Sequence, residues 1–465
     1  MKDCITQCLS AKGYRINNYA LSIIKECDDW YCNREIAGFH DKKNMNNEEI
    51  HLSRLGFAKR CCADDANLCE VISVSPEEES KSADFIEEVM TDNRFDVMYR
   101  KQLEKVSAGG TVGAYIRLEN ATLYDDGSLK DGDICINYID TEGILPLTVK
   151  NDDIIECAFA GENLSNGKKE YVLVVFTLDE NTRYIAETHV FNENGTEKVA
   201  EHTVIQLGEV KPFAIMRTAE VNNLDDMEGY GLPKIYNCIP MFEALDLCYN
   251  LLHGDLDKSD KLLFINEMLA SIQRDENGNP KLTKQQKKLF ILLGEALPDQ
   301  KSLIYEYNPS IRTAEITEAI ELVLSMISMQ FGYGTKKYSF ENGQIQTATE
   351  YIGERQDELQ ELNKQRKQAI DYICDIIHAA MWFSNTFKGT DFDVEEMLSV
   401  EFDDSYIEDR ASRLESMRTD AIQFPDIPWL TFVYLKEKYN LSDEEAQAYI
   451  REGKIDIEEE PTGDE

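Results

Sequence analysis

The stretch Gly161–Lys169, GENLSNGKK, has the composition of a phosphate-binding loop but not its spacing. A loop of that class has four residues between its two glycines, followed by Lys and by a Ser or Thr that binds magnesium. Here five residues separate Gly161 from Gly167, and Lys169 stands where the hydroxyl is needed. The stretch therefore predicts a β-hairpin turn, and any motor activity would belong to a separate protein.

The cysteines have the chemistry of metal ligands without the spacing. Three close pairs lack both C-x-x-C spacing and a matching histidine pair: Cys4 with Cys8, Cys27 with Cys32, and Cys61 with Cys62. We therefore predict free thiols and no metal site. Twelve cysteines in a chain that starts MKDCITQ, which is not a signal peptide, point to a reducing cytoplasm.

The remaining reactive residue types do not form a recognisable centre. The six histidines are scattered along the sequence, and ones such as His253 and His378, next to helical stripes, are expected to pack. Among 88 acidic residues some pair fits any acid–base spacing by chance. No nucleophile stands beside its base, so we predict no catalytic residue, no cofactor and no enzymatic activity.

Lys336 and Lys337 are the most informative charged pair, because they lie in a glycine-punctuated segment, FGYGTKKYSFENGQIQTATE, at residues 331–350. The ends of this segment carry capping residues: Gly332 and Gly334 at a helix C-terminus, and Thr347 and Glu350 as a capping box. The pattern predicts a tethered, protruding loop. For isolated surface lysines such as these, the expected structure is a solvated turn.

Two helices with apolar stripes are predicted on either side of a small insert. The stripe residues recur at steps of three and four: Ile235, Phe242, Leu245 and Leu252 in the first helix, and Ile316, Ile320, Val323 and Ile327 in the second. Pro240 predicts a kink or a helix restart. The stripes can form an intramolecular core, or they can also pack against the same pair in a neighbouring subunit.

Before the first striped helix, the sequence pattern changes from helical to β-rich along the chain. Helices are expected at Tyr19–Cys32, Ser53–Asn67 and Ser82–Lys105. An antiparallel meander follows from 109 to 216, with runs such as Val112–Leu118 and Tyr171–Leu178 separated by Asn-Gly and Asp-Gly turns. The insert at 259–308 contains an apolar run at Leu262–Ile265, a basic helix around Lys284–Leu293 and a strand at Leu303–Tyr307. The fold class is α+β.

The composition excludes a disordered chain and argues against a protein that grips nucleic acid. With 465 residues and 42% hydrophobic content the chain is long enough for real cores. A formal net charge of −40 repels phosphates, so a protein of this kind would let DNA slide past. The sequence contains no run of about 20 apolar residues, the length of a membrane helix.

These features resemble the portal proteins of tailed phages that infect Gram-positive bacteria. The resemblance rests on Ile311-Arg312, Gly332-Tyr333-Gly334, Tyr338-Ser339-Phe340 and Thr347-Ala348-Thr349-Glu350, and it is clearest from Tyr230 to Ser384. A weaker resemblance near the N-terminus rests on Trp30-Tyr31, Phe57-Ala58-Lys59 and Ala66-Asn67-Leu68. The chain departs from the family by having Tyr333 or Thr335 where Ser is usual after the loop glycine, and Tyr351 where Val is usual after T-A-T-E.

The resemblance implies a portal-type fold with a helical stem, a small α/β clip, an α/β wing and a helical C-terminal crown. The implied parts are a wing at 1–230 (helical 1–105, β-rich 109–216), stem helices at 231–258 and 309–332, a clip at 259–308, a tunnel loop at 333–348, a long wing helix with connections at 349–410, and a crown with an acidic tail at 411–465.

The resemblance also implies a function and partners. The implied function is a ring at one capsid vertex of the virion, dodecameric in the family, through which double-stranded DNA is packaged and ejected without sequence readout. Partners would be the terminase large subunit, a head-completion adaptor at the head–tail connection, and the major capsid and scaffold proteins, with no membrane. Loop residues near DNA would be Lys336, Lys337, Tyr338, Phe340, Asn342 and Gln344, and basic clip residues Lys284, Lys287 and Lys288.

Two other functions remain open at this point. One is a cytoplasmic enzyme with a site in the β-rich region, which predicts a convergent pocket with perturbed ionisable groups. The other is an acidic interaction or DNA-mimic protein, which predicts a monomer or dimer that binds a basic partner.

Overall fold

A computed structural model describes residues 3–43, 47, 49–78, 80–123, 129–130, 132–165, 167–257, 259, 262–266, 290–293, 304–307, 310–338, 356–403, 410–424, 427–439, 441, 446 and 450. They form two compact units: 1–69 with 74–400, and 70–73 with 401–465. The larger unit contains runs of helices and runs of mainly antiparallel strands, which gives the α+β class that the sequence predicts.

The N-terminal helices are α1 Asp3–Ala11, α2 Asn18–Tyr31, α3 Phe57–Ala66, α4 Ala83–Asp92 and α5 Phe95–Gly109. The prediction of one helix at Ser82–Lys105 is wrong, because Arg94 has φ 49° and separates α4 from α5. Asn93 holds this break: its side chain donates to the carbonyl of Val89 and accepts from the amide of Ile136 at 2.7 Å. The apolar period runs through both helices and does not reveal the break.

Two antiparallel sheets make up the β-rich region. The first has the order β12-β11-β10-β9-β8, from Thr203–Gln206, Tyr184–Phe191, Lys168–Leu178, Asp153–Ser165 and Ile144–Lys150. The second has the order β13-β4-β7, from Phe213–Arg217, Thr111–Glu119 and Asp133–Ile139. The predicted antiparallel meander is confirmed for β8 to β12, whereas the second sheet pairs strands that are not consecutive in the chain. The hairpin predicted at GENLSNGKK joins β9 to β10, and Gly167 in it has φ 76°.

The core of the larger unit lies on both faces of the five-stranded sheet. On one face an aromatic cluster joins the two sheets, with Phe159 and Phe176 against Tyr115 and Phe213 at ring-centroid distances of 5.3 to 5.7 Å. On the other face α1 packs its apolar side chains on alternate residues of the strands: Ile5, Leu9, Leu145, Ala158, Tyr171, Leu173, Val175 and Phe191.

The remaining strands form small separate sheets. Three have two strands each: β1 Asp41–Lys43 with β2 Glu49–His51, β3 Val71–Pro76 with β17 Leu398–Phe402, and β5 Thr122–Leu123 with β6 Leu129–Lys130. In the fourth, β14 Leu262–Asn266 lies between β15 Phe290–Leu293 and β16 Ile304–Tyr307.

The predicted basic helix at Lys284–Leu293 is wrong for Phe290–Leu293, which pairs in parallel with β14. A short continuous apolar run such as FILL fits a buried strand as well as a helix.

The C-terminal half contains long helices. They are α6 Ile239–Asp257, α7 Thr313–Gln330 and α8 Gln356–Phe383 in the larger unit, and α9 Arg410–Gln423 and α10 Pro428–Tyr439 in the smaller one. Pro240 lies in the first turn of α6, after a 3-10 turn at Tyr236–Cys238, so the restart prediction is confirmed. Within the described ranges, no helix combines the length and the apolar character that a membrane span needs.

Candidate functional site

The two striped helices pack against each other as an antiparallel pair. Arg312, just before α7, donates from Nε and Nη2 to the carboxylate of Asp255 in the last turn of α6, at 3.0 and 2.9 Å. Five of the predicted stripe residues are buried and three are half-buried: Ile235, Phe242, Leu245, Ile316 and Ile327, then Leu252, Ile320 and Val323. Leu324, absent from the predicted stripe, is buried with them.

Each helix of the pair also has a second apolar stripe, which is exposed within the subunit. Leu247 and Leu251 are four residues apart on α6 and 45% and 46% exposed. Leu322, Met326 and Met329 follow at steps of four and three on α7, and Leu322 and Met329 are 58% and 59% exposed. Residues at these spacings share one side of a helix, so each exposed stripe is a continuous surface.

The segment after α7 begins with the cap that its glycines require. The amide of Gly332 donates to the carbonyl of Met329 at 3.1 Å, and that of Tyr333 donates to Ser328 at 3.0 Å. With Gly332 at φ 82°, this is a Schellman motif, which satisfies carbonyls that have no partner inside the helix. Gly334 also has positive φ, at 71°.

The first part of the predicted tunnel loop does not protrude. Tyr333 is buried, and its hydroxyl donates to Asp65 of α3 at 2.8 Å. Tyr338 packs its ring edge against Phe57 at 5.0 Å between centroids. Lys337 pairs with Glu358 of α8 and lies over the ring of Tyr333, at 5.1 Å from its centroid. The expectation of a protruding loop is therefore corrected for 333–338, because burying two aromatic rings favours a docked segment.

Lys336 keeps an exposed side chain next to this docked segment. The other residues predicted to lie near DNA, Phe340, Asn342 and Gln344, lie outside the described residues. So do the predicted capping box, Thr347 and Glu350, and the basic clip residues Lys284, Lys287 and Lys288.

A buried ionic cluster lies directly beneath the loop base. The ammonium group of Lys234, with its side chain 1% exposed, lies 2.8 Å from Asp65 and 3.0 Å from Glu361 of α8. Burial by itself lowers the pKa of Lys234, but the two carboxylates outweigh burial and raise the pKa above its ordinary value. Because Asp65 also accepts from Tyr333, one carboxylate connects α3, the segment before α6 and the loop base.

Sequence reasoning missed this cluster. Asp65 and Lys234 are 169 residues apart, and Asp65 and Tyr333 are 268 apart, so no local spacing links them. The sequence contains only a weak indication of this cluster, which is a glycine, Gly231, in the turn before Lys234. Gly231 permits a close approach there, because a Cβ atom at this residue would lie 2.2 Å from the carbonyl oxygen of Gly110.

The β-rich region has a cleft of 690 Å³ at the place where the enzyme alternative expects one. The ionisable groups along its wall include Lys59, which bonds the hydroxyl of Tyr31 at 2.9 Å and pairs with Glu104. Burial lowers the pKa of Lys59 and raises that of Tyr31. These contacts connect α2, α3 and α5, and they give Lys59 a structural partner on two helices.

The structure also brings together residues that the sequence left scattered. Glu187, His189 and His202 lie side by side at one edge of the five-stranded sheet, with their ligand atoms all within 4.8 Å of one another. The signal that could have found them is E-x-H on a strand followed by a second histidine across a hairpin. The twelve cysteines are free thiols, as predicted.

The comparisons with known proteins give a distant likeness among solved structures. No protein-family model matches the chain, and no curated protein matches it. Among solved structures the chain is similar to one described as "Neck of native GTA particle computed with C12 symmetry". The TM-score is 0.40 and the identity 8%, over 84% of this chain and 89% of that chain. A likeness at this level carries no argument about the function of this chain.

Proposed function

We propose that this chain is a non-enzymatic phage portal subunit, which assembles into a closed ring at one capsid vertex and lets double-stranded DNA pass during packaging and ejection. One observation carries the proposal: an antiparallel helix pair that keeps a second apolar stripe exposed on each helix, with the loop base docked at the end of the pair. A soluble subunit with such stripes is expected to cover them with another molecule.

The occupant we assign to the exposed stripes is a second copy of this chain. A head-to-tail contact between helix pairs repeats around an axis and closes into a ring when the rotation permits. Like charges oppose association at a net charge of −40, so the attraction has to come from apolar area such as Leu322 and Met329. The phage resemblance supplies the remaining elements: twelve copies, and docking of the terminase, an adaptor, and capsid and scaffold proteins.

The acidic surface supports a conduit in this proposal. Duplex DNA is held by neutralising its phosphates with Lys and Arg, and this chain has 88 acidic against 48 basic side chains. The described part of the loop base carries two lysines, Lys336 with an exposed side chain and Lys337 paired with Glu358. A wall of this kind repels the duplex and reduces friction.

Native mass spectrometry and negative-stain imaging of the purified chain test the proposal. We expect rings with a central opening wide enough for duplex DNA. The double variant Leu322→Ser, Met329→Ser should give folded monomers, because both side chains are exposed in the subunit and their loss costs little stability. The control Leu164→Ser, at a leucine that is 74% exposed on β9, should still form rings.

The same measurements separate the proposal from its main competitor. A wild-type chain that remains monomeric or dimeric at high concentration would contradict the ring and favour an acidic interaction protein, which the charge of −40 by itself also supports. Equal assembly of wild type and the double variant would remove the helix stripes from the interface.

A further inference from the structure

A group of three potential ligands lies at the edge of the five-stranded sheet, away from the helix pair. Glu187 and His189 alternate along β11, so both side chains point to the same face of the sheet. His202 directly precedes the edge strand β12, and the pairing of Thr188 with Thr203 places it opposite His189. The two imidazole rings stack with centroids 4.6 Å apart.

The hydrogen bonds of His189 fix which of its nitrogens is available. Nδ1 lies 2.6 Å from Glu197, and an ionised carboxylate can only accept, so Nδ1 carries the proton and donates it. In the neutral ring the lone pair is then on Nε2. A carboxylate that orients a histidine in this way is typical of metal-ligating histidines.

The Nε2 atom of His189 is buried without a hydrogen-bond partner, since only 5% of the surface of the residue is exposed. It lies 3.1 Å from Oε1 of Glu187 without making a hydrogen bond to it. In the neutral ring these are two acceptor atoms facing each other in a buried place, and they repel unless a metal ion or a second proton on the imidazole lies between them. The same carboxylate oxygen is 3.0 Å from Nε2 of His202.

These separations fit one small cation. Ligands about 2.0–2.1 Å from a tetrahedral zinc ion lie roughly 3.3 Å from one another. The two separations from Oε1 of Glu187, 3.1 and 3.0 Å, need only small adjustments to reach that value, and the ligand atoms of all three residues lie within 4.8 Å of one another. Glu187 and Glu197 bring two negative charges and Lys12 one positive charge, so the surroundings also favour a cation.

We propose that Glu187, His189 and His202 form a binding site for a divalent transition-metal ion of the zinc class. Two imidazoles and one carboxylate suit such an ion better than Mg²⁺ or Ca²⁺, which take mostly oxygen ligands. Three protein ligands leave a fourth position for water. The bound ion connects β11 to the residue before β12 and so holds the edge of the sheet. This site is independent of the proposed ring.

Zinc titration of the tag-free, EDTA-treated full chain tests the site. By isothermal titration calorimetry at pH 7.5 we expect one Zn²⁺ per chain, together with a rise in the thermal midpoint. His202→Ala should weaken binding at least 10-fold and abolish the rise. His202 is exposed enough that this variant should fold, which circular dichroism would verify.

His51→Ala is the matched control, because His51 is an exposed histidine whose Nδ1 lies 2.8 Å from a glutamate, Glu35, outside the group. It should bind zinc as the wild type does. Glu197→Gln should weaken binding about 10- to 100-fold by disturbing the orientation of His189. Absence of stoichiometric binding to the wild type, or equal affinities of His202→Ala and His51→Ala, would overturn the proposal.

Discussion

At the scale of residues, Asp65 does more than its position in the sequence indicates. It is buried, it accepts from the hydroxyl of Tyr333, and it pairs with the ammonium group of Lys234 at 2.8 Å. A buried carboxylate is tolerated only when its lone pairs are satisfied. The loss of Tyr333 or Lys234 would therefore leave Asp65 with an unsatisfied buried charge. This carboxylate is one of the groups that hold the base of the loop, together with Glu358 and the ring of Phe57.

Tyr333→Phe should lower the free energy of unfolding by about 1–3 kcal/mol, because it removes a donor from a buried, charged acceptor without changing the ring. Urea denaturation of the larger unit measures it. Tyr19→Phe, at a tyrosine that is 51% exposed, is the control and should stay within about 0.5 kcal/mol of the wild type. Equal stability of both variants would show that the bond to Asp65 contributes nothing.

Glu187 should make the sheet edge sensitive to acid in metal-free buffer. Burial by itself raises the pKa of its carboxyl, but hydrogen bonds from Lys12 and His202 outweigh burial and lower the pKa below 4.5. A depressed pKa gives stability that is present above the unfolded value and lost as the pH falls through the folded value. Glu187→Gln should therefore cost less than about 1 kcal/mol at pH 7, since the group is partly exposed.

The pH dependence is the decisive readout for that variant. In thermal melts with EDTA, the difference from the wild type should shrink progressively as the pH falls below 4.5. Glu180→Gln, at an exposed residue of the β10–β11 turn, should show no such trend. If the stability loss of Glu187→Gln relative to the wild type were the same at pH 3 and pH 7, the depressed pKa of Glu187 would be contradicted.

At the scale of elements, the helix pair and the loop base form one connected unit. Arg312 with Asp255 joins the two helices at one end of the pair, and at the other end the Schellman motif at Gly332 caps α7. Below that motif, Lys234 and Glu361 connect the segment before α6 to α8. Movement of the loop base would have to break the hydrogen bond from Tyr333 to buried Asp65 and the ion pair of Lys337 with Glu358, and this makes 331–338 a fixed support for the rest of the loop.

Lys234→Met should destabilise the larger unit by about 3–5 kcal/mol, because it leaves Asp65 and Glu361 as buried carboxylates without their cation. Chemical denaturation followed by far-UV circular dichroism measures it. Lys364→Met provides the contrast, since Lys364 lies 3.3 Å from the same Glu361 but its side chain is 61% exposed. That variant should lose less than about 1 kcal/mol. Similar losses in both would argue against a special role of the buried ammonium group.

At the scale of the whole molecule, charge and apolar surface oppose each other. A net charge of −40 opposes association of copies of the chain, whereas in the proposed ring the exposed stripes of α6 and α7 would bring them together. Salt screens charge over a Debye length of about 10 Å at 0.1 M, and it does not weaken apolar attraction. The balance between the two effects therefore depends on ionic strength.

Raising NaCl from about 0.05 to 0.5 M should increase the assembled fraction of the wild-type chain, because repulsion between acidic surfaces is screened. Analytical ultracentrifugation at both salt concentrations measures it. The double variant Leu322→Ser, Met329→Ser should remain monomeric in both. An assembly that dissolves as salt rises would instead indicate ion pairs across the interface.

The sequence by itself determined the α+β class, the antiparallel meander, the two striped helices and the glycine cap between α7 and the loop. These features depend on contacts within a few residues, where periodicity and positive φ leave a direct trace. Even there, a local pattern could not distinguish strand from helix at Phe290–Leu293, nor detect the break at Asn93 and Arg94.

Only the tertiary structure decided which residues share a site. It docked Tyr333 and Tyr338 where a protruding loop was expected, assembled Lys234, Asp65 and Glu361 into one buried cluster, and placed His189 opposite His202. The physical reason is that burial and ion pairing are properties of residues that meet in space. Separations of 169 and 268 residues leave no periodic trace in the chain, so chain folding alone brings these partners together.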